Sequence, residues 1–214
     1  DEKYDIERDD LNYKNTPIFL DIIKKVSKVT FMPITVGGKI KNLLDAEKRL
    51  AVGADKISVN SAAIENPDFI INLAKEFGSQ CIVISVDVKI IDNKYKILSH
   101  GGTKISNYEL EEYINIVEKN GAGEILVNSI DRDGLGIGYD LNLLNMVTDR
   151  CKIPVIACGG VGKWQHFSDA LSKTKVDAVS AANIFWYTDQ SIYLSKKYLY
   201  EQKHNIRKPD LIEI

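Results

Sequence analysis

No stretch of this chain approaches the roughly 18 consecutive apolar residues that a membrane-spanning helix needs. Nor does it open on a charged segment followed by an apolar one, the pattern of a secretory signal. Cysteine is scarce, and its odd number, Cys81, Cys151 and Cys158, includes no C-x-x-C pair for zinc or redox work. Reduced thiols in a cytoplasmic protein are the expectation. The three histidines, His100, His166 and His204, have no metal-ligand spacing, so neither a metal nor a cofactor is expected. Among them His166 falls in a helical stretch and reads as a surface or packing residue. Trp164 and Trp186 read as packing groups. A net charge of −2 with a pI near 6.0 leaves no basic footprint for nucleic acid or an anionic membrane.

What is present is enough apolar content, 44% of 214 residues, to bury one substantial core, and a single domain over 1–214 is the expectation. Short β-branched runs alternate with longer amphipathic stretches. Strands are expected at Pro33 to Val36, Lys56 to Asn60, Cys81 to Ile90, Glu124 to Ile130, Pro154 to Cys158 and Ala178 to Ala182. Helices are expected at Asn15 to Val29, Leu43 to Val52, Pro67 to Phe77, Asn107 to Lys119, near 140–150 and 163–172, and at Ser191 to Gln202, with Pro67 in a first-turn position. Strands apolar on both faces, each followed by a helix, imply a parallel sheet with helices outside.

An internal repeat narrows the architecture. Gly37-Gly38 recurs as Gly159-Gly160, Asp55 as Asp177, Ser58 as Ser180 and Ile34 as Ile156, each 122 residues later. Ile6-Glu7-Arg8-Asp9 matches Ile130-Asp131-Arg132-Asp133 at an offset of 124. Two similar half-barrels of four βα units each would produce this series, which makes the chain an α/β protein with a (β/α)8 TIM-barrel fold. Six strands fall short of eight, and Glu2 to Glu7 is a poor strand, so the first βα unit and part of the second strand are expected to be missing from the start.

In such a barrel the chemistry lies at the carboxyl ends of the strands. Those ends are Gly37-Gly38, Asn60-Ser61, Gly159-Gly160 and Ala182-Asn183. Glycine there lets backbone N–H groups approach a ligand, and a following helix favours an anion. One Gly-Gly pair alone has a tight turn as its structural alternative. Two pairs, each followed one unit later by a small polar residue, point to a ligand with a phosphate at each end. Asp87 ends the third strand, where a general acid or base belongs, with a salt bridge to Lys89 as its structural alternative. Asp131 and Asp133 lie at the next strand end. Asp133-Gly134 can meet a phosphate through backbone amides, while Asp131 or Arg132 ties the loop down. Asn128 and Ser58 are candidate polar contacts inside the mouth.

Taken together, Thr35-Val-Gly-Gly38, Gly53-Ala-Asp-Lys-Ile-Ser-Val-Asn-Ser61, Phe77-Gly-Ser-Gln80, Gly121-Ala-Gly-Glu-Ile-Leu126, Ser129-Ile-Asp-Arg-Asp-Gly134 and Ile156-Ala-Cys-Gly-Gly160 resemble the cyclase subunit family of imidazole glycerol phosphate synthase. The resemblance implies a lyase of histidine biosynthesis working as a heterodimer with a glutamine amidotransferase. Ammonia from that glutaminase would pass through the barrel to a bis-phosphorylated ribulosyl-formimino carboxamide nucleotide. The products would be imidazole glycerol phosphate and an aminoimidazole carboxamide ribotide. By position, Asp87 matches one of two catalytic aspartates, the other belonging to the first strand. Gly38, Asn60 and Ser61 match one phosphate site, and Asp133, Gly134, Gly160, Ala182 and Asn183 the other. Lys56 and Glu124 match part of the ring gating ammonia entry, or equally a salt bridge closing the barrel bottom. Asp55 matches a glutaminase-docking residue. Lys39 stands where the family has glycine, and Asn183 replaces a smaller residue. Both departures resemble paralogues found with surface-polysaccharide genes, which implies amidino-group formation on a sugar as the alternative. A catalytically dead, partner-binding barrel is the third reading.

Overall fold

A computed structural model describes residues 16–187 and 191–209. The expected strand at Glu2 to Glu7 and the Ile6–Asp9 repeat tract lie outside them. Two compact units divide the chain, one up to Ile57 and one from Ser58 onward.

The first unit contains α1 (Thr16–Ser27), β1 (Thr35–Gly37), α2 (Leu43–Ala51) and the start of β2 (Lys56–Val59). Ile23, Val36 and Ala54 are buried together, with Leu20, Ile34, Leu50 and Val52 packed around them. Helix α2 begins where it does because the Asn42 side chain accepts the Asp45 amide at 2.9 Å, satisfying one of the open amides of a first turn. Asp55 holds the start of the preceding strand. Its carboxylate accepts from the Ile34 amide at 2.8 Å, and its own amide donates to the Ile34 carbonyl at 2.9 Å.

The second unit continues through α3 (Ser61–Glu65), α4 (Asp68–Phe77), β3 (Ile82–Ile91), β4 (Lys94–Ser99) and β5 (Lys104–Glu109). It goes on with α5 (Leu110–Lys119), β6 (Glu124–Ser129), α6 (Leu141–Thr148), β7 (Val155–Cys158), α7 (Trp164–Lys173), β8 (Ala178–Val179), α8 (Ile184–Tyr187) and α9 (Ser191–Glu201). Strands β3, β6, β7 and β8 are parallel neighbours in a curled sheet, with helices between successive strands, as a (β/α)8 barrel requires. Ile82, Ile84, Val86 and Val88 of β3 point one way and are buried, as are Ile125 and Val127 of β6. Burying each such side chain contributes about 1.5–3 kcal/mol. The alternate residues, Ser85, Asp87, Leu126 and Asn128, are half-buried on the other face. The half-barrel repeat has a physical counterpart here. Asp177 accepts from the Val155 amide at 2.9 Å, the same service Asp55 performs for Ile34.

The structure departs from the expectations at several places. The helix expected from Asn107 begins at Leu110, because Asn107 to Glu109 belong to β5, an antiparallel hairpin strand paired with β4. Strand β4 in turn pairs antiparallel with β3 across a turn at Asp92 and Asn93, which both adopt positive φ (51° and 59°), the geometry of a tight two-residue connection. Strand β3 starts one residue late, since Cys81 closes a short 3-10 turn, and β8 stops at Val179 rather than Ala182. Pro67 sits in the cap position before α4, one residue earlier than expected. Trp164 stacks on Phe167 and Phe185, but Trp186 is 85% exposed and is no packing group. Helices α3 and α8, of five and four residues, go beyond the expected set. Among the described residues no helix is long and apolar enough to cross a membrane.

Candidate active site

Asp87, Asn128 and Cys158 occupy one transverse row across three adjacent strands of the second unit, and Ser180 continues it just past β8. Asp87 pairs in register with Asn128, and Asn128 with Cys158. Ser180 follows β8, donating its amide to the Ala157 carbonyl at 2.8 Å. Period-two alternation turns Asp87, Asn128 and Cys158 to the same face, away from the helices. The row is hydrogen-bonded within itself. Asn128 Nδ2 donates to Asp87 Oδ1 at 3.4 Å, and the Cys158 thiol is bonded to the Ser180 side chain.

Electrostatics single out Asp87. Burial raises its pKa, hydrogen bonds from Asn128 and Ser85 oppose that rise, and the Asp133 carboxylate adds to it. Its side-chain partners are therefore Asn128 and Ser85 rather than Lys89. The Cys158 thiol is also pushed up, first by burial and then by Asp133 and Asp87, so it stays protonated. Asp87 does not end its strand as expected, because β3 runs on to Ile91 in the pairing with β4. A carboxyl that resists ionisation, held in a polar row across the parallel strands, can carry a proton to or from a reacting group.

Two glycine loops flank the row. Gly159 adopts φ 89°, and a Cβ there would lie 2.8 Å from both Asn128 Oδ1 and the Ser129 carbonyl, so no larger residue fits behind Asn128. Gly160 accepts from the Gly138 amide at 2.6 Å, and a Cβ on it would strike the Gly138 carbonyl. The loop after β6 and the loop after β7 thus press backbone to backbone. Gly134 lies beside Asn183, whose Nδ2 is 4.0 Å from a Cβ built on the glycine. Asn183 and Ala182 are exposed. The Asp133 amide already donates to the Ser129 carbonyl at 3.0 Å, so an anion here must be met by other donors. Asp131 ties the loop down by accepting from the Ile90 amide at 2.6 Å. Asp140, 5% exposed, accepts from Tyr95 Oη at 3.0 Å and from the Leu143 amide at 3.1 Å, joining the hairpin, the loop and α6.

Asn60 and Ser61 form the corner after β2. Asn60 Nδ2 donates to the Ser85 carbonyl at 3.0 Å, and Ser61 Oγ accepts from the His100 amide at 2.9 Å, so this corner also seats the hairpin turn. Ser58 is half-buried, and so is Glu124 at the start of β6. In the first unit, Gly38 (φ 91°) has nothing within 4 Å of a built Cβ, and Lys56 is half-buried at the start of β2. His166 Nδ1 accepts from the Gly162 amide at 3.1 Å and packs against Gly138, the expected structural use.

Cys158 and Ser180 are absent from the expected set. The signal for them was present, because Ser180 is the repeat partner of Ser58 and Cys158 stands directly before Gly159-Gly160.

The histidine biosynthesis protein family model matches residues 10–191. Imidazole glycerol phosphate synthase subunit HisF of Hydrogenobaculum sp. (strain Y04AAS1) is 42% identical over 197 residues, which is 92% of this chain and 78% of that protein. A match over most of its length, joined to a parallel barrel sheet, establishes that the chain belongs to the histidine biosynthesis protein family.

Proposed function

We infer that the chain is the cyclase subunit of imidazole glycerol phosphate synthase, an enzyme of histidine biosynthesis in the cytoplasm. The observation that carries the chemistry is the row of Asp87, Asn128, Cys158 and Ser180 across the sheet. Asp87 is the residue proposed to move protons. Adding ammonia to a carbonyl and expelling an amine each require proton transfer, and a carboxyl with a raised pKa is suited to both. Gly134, Gly160 and Asn183, with Asp133 and Ala182 beside them, are proposed to take one phosphate of the bis-phosphorylated ribulosyl-formimino nucleotide. The Gly37–Gly38 turn and the Asn60–Ser61 corner are each proposed as contacts to the other. Ser58 is a further polar contact. Ammonia is proposed to come from a glutaminase partner, with Lys56 and Glu124 on its route and Asp55 at the docking face. Purified chain supplied with this nucleotide and an ammonium salt should form imidazole glycerol phosphate and aminoimidazole carboxamide ribotide in equal amounts. Failure to form either, with or without an added glutaminase subunit, contradicts the reading.

A further inference from the structure

Asn128 sits in the middle of the row, between Asp87 on β3 and Cys158 on β7. The two ends of its amide are used unequally. Nδ2 donates to Asp87 Oδ1 at 3.4 Å, while Oδ1 is buried with no hydrogen-bond partner among the described residues. A buried acceptor without a donor is unfavourable, so stability alone does not explain this orientation. The orphaned oxygen is turned toward Gly159, where a built Cβ would lie 2.8 Å from it and 2.8 Å from the Ser129 carbonyl. Turning the amide over would bring its NH₂ group to the side of that carbonyl but set oxygen against oxygen at Asp87. The orientation present gives up the first to serve the carboxylate. A contact of 3.4 Å is long, and catalytic hydrogen bonds of this kind tighten as the reaction proceeds.

A carboxyl has two oxygens, and one proton serves one of them. An oxygen that accepts from Nδ2 is a poor place for it, because the amide hydrogen and the acid hydrogen would meet. The Ser85 hydroxyl, also bonded to Asp87, donates or accepts and so suits either protonation state. Asp133 in the loop after β6 and Cys158 on β7 are the titratable groups that face Asp87. Lys89 is exposed, Leu98 is the partner on β4, and the Asn60 amide is committed to the Ser85 carbonyl.

We propose that Asn128 is a positioning residue for the cyclisation, donating to Asp87 Oδ1 and so confining the exchanged proton to Asp87 Oδ2. The proton moves between that oxygen and the reacting nitrogen, in either direction. This rests on the reading of Asp87 as proton carrier and adds the group that decides which of its oxygens works. Gly159 belongs to the same device, since a side chain there would strike the Asn128 carbonyl.

The test is a ¹³C NMR carboxyl titration of the full chain labelled at aspartate, with Asp87 assigned by its loss in Asp87→Asn. Ammonia-driven turnover of the ribulosyl-formimino nucleotide is measured beside it. Asn128→Leu removes the donor at similar volume, and Asn128→Asp replaces it with an acceptor of the same shape. Losing the donor disfavours the carboxylate. The Asp87 midpoint should therefore rise by about one pH unit in Asn128→Leu and further in Asn128→Asp. The acid limb of the kcat profile should rise with it. At the optimum kcat should fall about tenfold or more, while KM stays within about threefold of the parent. Midpoints within about 0.3 pH units of the parent in the folded variants overturn the proposal, and so does a kcat within about twofold. If Asn128→Leu does not fold, Asn128→Asp decides in the same way. A parent chain without turnover at any pH, with or without a glutaminase subunit, overturns the cyclase reading and the proposal with it.

Discussion

Replacing Asp140 with alanine should destabilise the protein far more than a surface substitution would. The carboxylate is buried and serves three elements, as cap of α6, acceptor for Tyr95 on the hairpin, and neighbour of Arg132 at 3.8 Å. Losing a side-chain cap costs about 1 kcal/mol. Leaving the Tyr95 hydroxyl without its acceptor costs about 1–3 kcal/mol. The Arg132 contact is long and partly exposed, so it adds little. The expected loss is therefore about 2–4 kcal/mol, or about 5–15 °C in Tm for a chain of this size. Asp140→Asn keeps an acceptor for both bonds and should lose about 1 kcal/mol or less. Urea unfolding at constant m-value measures both variants, and Tyr95→Phe closes a double-mutant cycle with an expected coupling of about 1 kcal/mol. An alanine variant within about 0.5 kcal/mol of the parent would refute the reasoning, because the cap and the hairpin tie would then carry no stability.

Two further outcomes are expected. Because burial raises the Asp87 pKa, its favourable contribution to stability is complete below the unfolded carboxyl pKa and is lost as pH rises through the folded one. Asp87→Asn should therefore unfold at higher urea than the parent at neutral pH, with the gap closing in acid; a variant less stable at neutral pH would contradict this. Asp55 has a structural duty at the Ile34 amide, so Asp55→Asn, which keeps an acceptor, isolates its charge. That variant should bind a glutaminase partner more weakly, by about 1 kcal/mol or more, while ammonia-driven turnover is unchanged. Equal loss of both activities would assign Asp55 to the fold alone.

Much of this was legible in the residues because barrel strands are short β-branched runs closed by Gly, Pro or a helix start. Val83 to Val88, Ile125 to Val127 and Val155 to Ala157 could be read that way, and Asp87 stood out as an acid at the end of an apolar run. The hairpin β4–β5 was hidden because alternation of strand and helix leads the reader to expect a helix next. Yet Asp92-Asn93 between apolar runs carries the two-residue turn signal that folds β4 back on β3, and Tyr95, Ile97 and Ser99 keep period two. The carboxyl-end limits of β2 and β8 were overrun because strand pairing, not composition, decides where a ladder stops. Arg49, buried with its guanidinium on the Gly38 carbonyl, could not have been foreseen. It occupies a position of the α2 pattern that looks like any solvated arginine beside Lys48, and only the fold turns it toward Gly38. Trp186 misled for the opposite reason, since an aromatic residue in an apolar run is usually buried, and α8 is too short to cover it.

The central claim is that Asp87 moves protons in an ammonia-dependent cyclisation. It is tested most directly by the turnover of Asp87→Asn with ammonium salt and the ribulosyl-formimino nucleotide, the glutaminase step left out. An amide of the same size keeps the row with Asn128, Cys158 and Ser180 but cannot exchange a proton. Turnover is expected to fall by about 10²–10⁴, with the circular dichroism of the parent retained. A folded variant that still turns over within a few-fold of the parent would contradict the account.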